Sequence, residues 1–372
     1  MDSVELRPTW CEIDLAAITH NLTQMRGLLG PDVAIYICLK GDANGCGAVE
    51  IAKRAAAQAA GFAFGNIDSA IACRRAGVSN PILLYPTCLP EIAPLLEREH
   101  LMPTLSTLAD VESWDGAAQQ RLPVFLKIDA GGFRAGALPH HAAEMARAIV
   151  ASRRLELAGI YGHPMTSYGF DDEAYTVAQL GAFRQALAAI DEAGIPVPIR
   201  MVSSSAILLG YPEADFNAVD PGRLVLGLSF PAAAERQATW QPALVGLKSR
   251  LVMVKSLAET GGVPPAPFIR LKPDMRLGLI PFGWSDGYPK RMPKDAMALI
   301  RGRRAPLIAP THSELIRVDL TDIPEAEVGD EVVLLGRSGD VEISLAELAK
   351  QWGVSTYDLS PAIGKTLPHR YI

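Results

Sequence analysis

The sequence predicts an α/β domain with a parallel sheet, followed by a mostly β domain, on three observations. From residue 13 to about 230, short apolar runs alternate with helical patterns, which is typical of parallel strands with helices outside. Eight such runs occur, and eight parallel strands can close a barrel, although the rhythm alone leaves a doubly wound open sheet as an alternative. After Pro231, strand-like alternation and turns replace the helices. We therefore predict domains at 13–231 and 232–372.

The strands predicted in the first domain are short and bounded by Gly, Pro or polar residues. They cover residues 35–39, 61–65, 81–85, 101–105, 124–128, 157–161, 200–203 and 215–219. Between them, amphipathic patterns such as 48–60 and 142–152 predict helices. In the second domain we predict strands at 247–255, 276–282, 297–301, 315–320 and 331–335, a turn-rich segment at 261–267, and one late helix at 345–351.

Composition excludes several classes of protein. The 372 residues suit two domains, and a net charge of -6 with no basic stripe argues against nucleic acid as a partner. The five cysteines show no CxxC pair or Cys/His cluster, which argues for a reducing compartment and against a structural metal. No apolar run approaches ~20 residues, so no membrane segment is expected, and the N-terminus lacks a signal-peptide pattern. We expect a cytoplasmic protein.

The first predicted strand ends on one lysine, Lys40, and the turn that follows is rich in Gly, Asp and Asn. A lysine held against apolar neighbours loses hydration, and its lowered pKa lets the neutral amine form a Schiff base with an aldehyde. A surface lysine that merely closes a strand is the alternative interpretation.

The tract K-G-D-A-N-G-C-G-A from Lys40 to Ala48 resembles the lysine motif of the alanine racemase family, fold-type III enzymes that bind pyridoxal 5'-phosphate (PLP). The opening from Arg7 to Leu22 is similar to the family's beginning, and matches continue in order to Pro368. The resemblance implies a (β/α)8 TIM barrel rather than an open sheet. It also implies that residues 1–12 join the second domain, and that a head-to-tail homodimer shares its active sites.

Two motifs at predicted strand ends resemble further family elements. Lys127 to Gly136 is similar to K-x-D-T-G-M-G-R-x-G, which implies that Arg134 sits beside the cofactor phenolate and the substrate carboxylate. Lys127 would support it, in the family as a carbamate, and an ion pair with Asp129 is the structural alternative. His163 matches the histidine that packs on the pyridine ring, where a flat ring gives stacking contact. A satisfied core histidine is the alternative.

The resemblance also places the phosphate and the ring nitrogen of PLP. Ser205 matches the family's Asn-Ser-Ala element, in which Ser204 replaces Asn. Asp220-Pro-Gly222-Arg223 replaces the racemase R-P-G-I and looks more like the E-P-G-R of related decarboxylases. That motif implies phosphate contacts from Gly222 and Arg223, and a carboxylate against a protonated pyridine nitrogen. A solvent-facing Asp220 at a turn is the alternative.

The second domain departs from the family at its catalytic positions. Trp284 occupies the place of the tyrosine that serves as acid/base on the opposite face of the substrate, and indole cannot exchange a proton at neutral pH. Ser313 replaces a substrate-facing methionine, and Lys365 replaces a phosphate-contacting tyrosine. His312 or Lys365 from the second subunit could take over the proton transfer.

We therefore predict a PLP-dependent enzyme of the racemase type that acts at Cα of an amino acid and is an inefficient alanine racemase. Decarboxylation, or another reaction through a quinonoid intermediate, is the first alternative. The second is a non-catalytic protein that binds PLP or an amino acid. Fold alone decides none of these, since barrels host many chemistries.

Overall fold

A computed structural model describes residues 7–165, 173–228, 235–259, 267, 269 and 271–372. The chain divides into two compact units. One contains residues 17–43 and 48–241, and the other contains 1–16, 44–47 and 242–372. The predicted boundary between 231 and 232 lies outside the described residues, as does most of the predicted turn-rich segment 261–267.

The first unit is a parallel barrel, which confirms the predicted fold class. Leu101–Met102 and Thr104–Leu105 stand at the two ends of the strand order, and only Pro103 separates them in sequence. Proline lacks the N–H that a ladder needs, so one strand is split there and the sheet runs around the barrel. The strands in spatial order are Leu101–Met102, Ile82–Leu84, Gly61–Phe64, Ala34–Cys38, Ala218–Val219, Ile199–Ser203, Leu155–Gly162, Leu122–Ile128 and Thr104–Leu105.

Helices follow the strands, each with one buried face. They are Leu15–Leu28, Ala48–Ala55, Ile67–Arg75, Ala93–Arg98, Leu108–Ala117, Ala142–Ala151, Glu173–Glu192 and Ser205–Gly210. The predicted helix 48–60 ends early, at Ala55, where a turn takes over. The predicted strand 215–219 is reduced to Ala218–Val219, because residues 216 and 217 form a turn in which Phe216 has a φ of 45°.

A layer of side chains fills the barrel interior, and large and small residues share it. Its members, drawn from seven of the strands, are Tyr36, Ala63, Leu83, Phe125, Tyr161, Met201 and Ala218. The Phe125 ring packs against Gly159, where a Cβ would lie 2.5 Å from it, so a larger residue at 159 would collide with the ring. The barrel is therefore a packed core, and its functional groups must come from the strand ends.

The second unit is built on β-sheet. Its strand Thr9–Ile13 runs antiparallel to Leu244–Arg250 and parallel to His369–Tyr371. The other strands are Met253–Ser256, Arg276–Ile280, Met297–Ile300, Arg303–Ile308, Ile316–Asp319, Glu331–Ser338 and Val341–Ile343.

Two details of the second unit differ from the sequence prediction. The predicted strand 247–255 is two strands, interrupted at Leu251 and Val252. The prediction of one late helix is wrong, since Thr356–Gly364 follows Leu345–Trp352. The second helix was missed because it contains Pro361, a residue that signals a helix break. Among the described residues, no helix has the length and apolar character needed to cross a membrane.

Candidate active site

Lys40 lies directly beyond the strand Ala34–Cys38, at the carboxyl end of the barrel, and its side chain is exposed. The next five residues, Gly41 to Gly45, all have positive φ, between 51° and 83°. A left-handed turn costs about 1–2 kcal/mol for each residue with a Cβ, and three of the five carry one. Two hydrogen bonds hold it: the Ala43 N–H donates to the Leu39 carbonyl at 3.0 Å, and the Ala48 N–H donates to Asp42 Oδ1 at 2.8 Å.

The end of this turn is fixed within the second unit. Asn44 Nδ2 donates to the Tyr357 carbonyl at 3.1 Å, and Ser360 Oγ donates to the Asn44 carbonyl at 2.8 Å. A Cβ on Gly45 would lie 2.7 Å from the Ser360 carbonyl oxygen. Asn44 therefore anchors the backbone that follows Lys40.

The loop after the strand Leu122–Ile128 is shaped by Asp129. Its Oδ1 accepts from the N–H groups of Gly131 and Phe133, both at 3.0 Å, and its Oδ2 accepts from the Arg134 N–H at 2.8 Å. These bonds hold Phe133 at a φ of 47°, and 85% of the residue is exposed. The Asp129 carboxylate thus orders the loop through backbone donors, which leaves the Arg134 guanidinium available to an anion.

Lys127 is buried beneath that loop. Its Nζ lies 5.6 Å from the centre of the Tyr161 ring. Burial, and secondarily Arg134, lower the pKa of Lys127 to about 8, against the opposing effect of Asp129. In a fraction of the molecules, Lys127 is consequently a neutral amine near neutral pH.

His163 follows the strand Leu155–Gly162, and it lines one small cavity together with Lys127, Arg134 and Met165. Burial lowers the pKa of His163 to about 3, assisted by the positive charges of Lys40, Arg134 and Lys127. The imidazole is therefore neutral at physiological pH. A neutral flat ring suits stacking against a second aromatic ring without adding charge to it.

Asp220 follows the short strand Ala218–Val219, which pairs with Ala34–Cys38, the strand that leads to Lys40. Only 3% of Asp220 is exposed, so the solvent-facing interpretation is wrong. Its Oδ1 has no hydrogen-bond partner among the described residues. Burial raises the pKa of Asp220 to about 7, although Lys40, Tyr85 and Lys127 favour the carboxylate. A buried oxygen without a partner is costly and indicates a site that a polar ligand completes.

The predicted phosphate residues lie close to Asp220. Ser205 Oγ accepts from the N–H of Gly222 at 3.2 Å and from that of Leu224 at 3.3 Å. Both lone pairs are engaged in this way, which leaves the hydroxyl hydrogen to donate to another group. A Cβ on Gly222 would lie 3.0 Å from the Cys38 carbonyl oxygen, so this position favours glycine. Ser204 precedes the helix Ser205–Gly210, and its hydroxyl makes no capping bond.

The four candidate residues from the second unit are also grouped, within that unit. The backbone N–H of Trp284 donates to the His312 carbonyl at 3.0 Å, and the backbone N–H of Ser285 donates to the Ser313 carbonyl at 2.9 Å. Lys365 follows the helix Thr356–Gly364, next to Thr366, whose hydroxyl donates to the Asp286 carbonyl at 2.8 Å. Trp284, His312, Ser313 and Lys365 are all exposed. Lys290 Nζ lies 5.3 Å from the centre of the Trp284 ring.

Sequence reasoning missed Tyr85, whose hydroxyl donates to Asp220 Oδ2 at 3.4 Å. The signal was present, since Tyr85 ends a predicted strand just as Lys40 does. Around Asp220 the barrel end carries three cationic side chains, Lys40, Lys127 and Arg134. This excess of positive charge suits a ligand with anionic groups, such as a phosphate or a carboxylate.

Comparison with known proteins gives consistent matches over nearly the whole chain. The model for the alanine racemase N-terminal domain matches residues 13–230, and that for the C-terminal domain matches residues 244–371. An alanine racemase of Desulfovibrio desulfuricans is 32% identical over 370 residues, 98% of each chain. One of Symbiobacterium thermophilum is 30% identical, covering 100% of this chain and 99% of its own. The crystal structure of alanine racemase from E. faecalis, 28% identical, superposes with a TM-score of 0.87 over 100% of both chains.

Proposed function

We propose that this chain, which belongs to the alanine racemase family, is a PLP-dependent enzyme that acts at Cα of an amino acid and racemises alanine poorly. Family membership places it among PLP-dependent isomerases. The observation that carries the proposal is the pair of adjacent barrel strands ending in Lys40 and in the buried Asp220, whose Oδ1 has no partner among the described residues.

The barrel end fits PLP on the chemistry of its groups. PLP carries an aldehyde, a phosphate and a basic ring nitrogen. The exposed amine of Lys40 suits the aldehyde, and the Ser205 hydroxyl with Gly222 and Arg223 suits the phosphate. Asp220 Oδ1 suits the ring nitrogen, and the neutral His163 suits the ring face.

When bound, PLP supplies an electron sink that stabilises negative charge at the Cα of an attached amino acid. The residues of this chain do the rest. Lys40 holds or moves a proton at Nζ on one face of Cα. Arg134 offers its guanidinium to the substrate carboxylate, and Lys127 supports the charge of that region. Asp220 favours a protonated ring nitrogen, because an anion within hydrogen-bond reach raises the pKa of that nitrogen.

The opposite face of Cα lacks the phenol that racemisation needs. The indole N–H of Trp284 can donate a hydrogen bond, but it does not act as an acid or base at neutral pH. A positioned acid or base contributes about 100 to 10,000-fold to a rate, so its loss would leave weak racemisation. His312 or Lys365, contributed by a second copy of the chain, is the proposed replacement. Ser313, in place of a methionine, would alter the side-chain pocket of the substrate.

Decarboxylation is the second candidate, and the observation that favours it is Asp220 itself. An acid at this position, as in the E-P-G-R motif of related decarboxylases, strengthens the ring as an electron acceptor. The relatives named above are racemases, and they support the isomerase assignment over decarboxylation and over a non-catalytic binding protein.

Three further proposals accompany the assignment. A head-to-tail homodimer with shared active sites would bring four residues of one copy, which we call the Trp284 group, to the barrel end of the other. They are Trp284, His312, Ser313 and Lys365. A cytoplasmic location follows from the cysteine pattern. The domain boundary between 231 and 232 stays a prediction.

The test is a panel of amino acids incubated with the protein and PLP in deuterium oxide. Deuterium at Cα, read by mass spectrometry, is the expected outcome for at least one amino acid. Release of carbon dioxide with loss of the carboxylate would replace the proposal by decarboxylation. A protein that binds PLP and leaves every amino acid unchanged would be the non-catalytic alternative.

A further inference from the structure

Asp220 has two oxygens in different situations. Its backbone N–H donates to the Ser203 carbonyl at 3.0 Å, which fixes the residue against the neighbouring strand. Its Oδ2 accepts from the Tyr85 hydroxyl, while Oδ1 has no partner among the described residues. One oxygen of the carboxylate is therefore held by a hydrogen bond, and the other can accept one from a ligand.

The phenol of Tyr85 is held from several sides. The backbone N–H of Tyr85 donates to the Phe64 carbonyl at 2.8 Å, and the Tyr85 ring lies 5.8 Å from the ring of Tyr161. The Tyr161 hydroxyl lies 3.1 Å from Thr104 Oγ1, which donates to the Leu84 carbonyl at 2.7 Å. The packed layer of the barrel interior thus supports the ring and directs the Tyr85 hydroxyl to Asp220.

A donor on Oδ2 changes where a proton shared with Oδ1 resides. A hydrogen bond to the charged form of a carboxyl group favours that form, so a proton between Oδ1 and a basic nitrogen shifts to the nitrogen. Lys40 and Lys127 also face Asp220 and act in the same direction, against its burial. Tyr85 acts through a hydrogen bond from its hydroxyl to Oδ2.

We propose that Tyr85 is a positioning residue for Asp220, whose hydroxyl holds Oδ2 so that Oδ1 faces the ring nitrogen of PLP and the shared proton stays on that nitrogen. This inference rests on the proposed function. It assigns to Tyr85 control of the electron-accepting strength of the bound cofactor, and no contact with the amino-acid substrate.

The experiment is nitrogen NMR of the holoenzyme prepared with PLP labelled with 15N at the ring nitrogen. The variants are Tyr85→Phe and, as a control, Tyr161→Phe, which removes a phenol that contacts Thr104 instead of Asp220. We expect the wild type and the control to show a pyridinium signal. In Tyr85→Phe the ratio of pyridinium to neutral pyridine should fall about tenfold, the size expected for losing one hydrogen bond to a charged group.

A second readout needs no cofactor. The infrared carbonyl band of the protonated Asp220 side chain is titrated in the apoprotein and assigned by its loss in Asp220→Asn. Tyr85→Phe should move the titration of this band to higher pH, and Tyr161→Phe should not.

The outcomes separate the two claims. A wild type with a neutral ring nitrogen, unchanged in Asp220→Asn, would reject the proposed contact between Asp220 and the cofactor, while the apoprotein titration would still test the hold of Tyr85 on Asp220. A protonated ring in the wild type that stays fully protonated in Tyr85→Phe would overturn the inference about Tyr85 alone.

Discussion

Several functional side chains of the barrel end are buried, whereas those of the Trp284 group are exposed. At the barrel end, burial changes the chemistry of the groups: it lowers the pKa values of His163 and Lys127 and raises that of Asp220. In the second unit, Trp284, His312 and Lys365 are exposed, and backbone hydrogen bonds set the positions of Trp284 and His312. The barrel end is thus tuned within its own unit, whereas an exposed group gains an altered environment only when something covers it.

The two regions also differ in how far their motifs depart from those of the family. The lysine tract resembles the family motif, and hydrogen bonds within its own chain hold its left-handed backbone. The departures lie at Asp220, where an oxygen lacks a partner among the described residues, and at Trp284, where a titratable phenol is missing. Substitutions at the barrel end should therefore affect every reaction at Cα, and those in the second unit should affect only one face.

The largest effect is expected from Lys40→Ala. Removal of the amine should abolish turnover on both faces and prevent borohydride from fixing the cofactor to the protein, while the fold persists. Lys53→Ala is the control, because Lys53 is a helical lysine that pairs with Glu50 at 2.9 Å. Absorbance spectra and peptide mapping after reduction give the readout. Cofactor fixed to the Lys40→Ala protein would refute the assignment.

A gain of activity is expected from Trp284→Tyr. A phenol at this position should raise alanine racemisation by about 100 to 10,000-fold, the contribution of a positioned acid or base. Trp284→Phe is the matched control, since it carries a similar ring without the hydroxyl. The racemisation rate is measured by following the circular dichroism of one alanine enantiomer until it reaches equilibrium. If the unaltered enzyme already racemises alanine at about 10 per second, a typical turnover rate, the contrast between the two faces is wrong.

The lysine turn should respond to two glycine substitutions unequally. Gly41→Ala adds a Cβ in open space at a φ of 66°, so only the left-handed backbone cost of about 1 kcal/mol is expected. Gly45→Ala adds the same strain and a contact of 2.7 Å with the Ser360 carbonyl oxygen, for about 3 kcal/mol in total. Urea unfolding of both variants measures the difference. Equal losses would show that the contact of Gly45 with the C-terminal helix does not restrain the turn.

Asp220→Asn is expected to stabilise the apoprotein to an extent that depends on pH. Burial raises the pKa of Asp220 from 3.8 to about 7, so the folded state holds its proton at pH values where the unfolded chain has released it. Stability from this group therefore falls as pH rises from about 4 to 7 and stays low above that range. The variant, which does not titrate, should be more stable by on the order of 2 kcal/mol at pH 8 and by less at pH 5.

Urea titrations of the wild type and Asp220→Asn at the two pH values provide the measurement. A difference that is the same at pH 5 and pH 8 would mean that Asp220 does not titrate as a buried acid. Addition of PLP should reverse the order at pH 8, because the carboxylate then gains a partner that the amide cannot replace.

Much of the barrel could be predicted because its strands are apolar runs bounded by Gly and Pro. The residues at its end followed from strand ends and motif resemblance, as for Lys40, Arg134, His163 and Asp220. Two features could not be read from residue types. The positive φ values of Asp42 and Ala43 belong to a turn held by hydrogen bonds that Leu39 and Asp42 accept, a conformation that residues with a Cβ rarely adopt. The contact of Tyr85 with Asp220 joins the third and eighth strands, and periodicity carries no information on such pairs.

The helix Thr356–Gly364 was missed for a different reason. Pro361 lies inside it, and a proline normally marks the end of a helix. Its N-terminus is fixed by Ser355, whose hydroxyl accepts from the Asp358 N–H at 3.1 Å. The sequence contains this capping signal, but Pro361 favours the prediction of a loop at this position.

The most direct test of the difference between the two faces is the stereochemistry of hydrogen exchange at Cα. Each enantiomer of the best substrate is incubated with the holoenzyme in deuterium oxide, and chiral chromatography with mass spectrometry separates exchange with retention from exchange with inversion. If Lys40 serves one face and Trp284 lies on the other, as proposed, one enantiomer should exchange with retention at least about 100-fold faster than it inverts. Trp284→Tyr should bring the two rates together. Inversion as fast as retention in the unaltered enzyme would contradict the account, since it would require an effective acid/base on the face that carries Trp284.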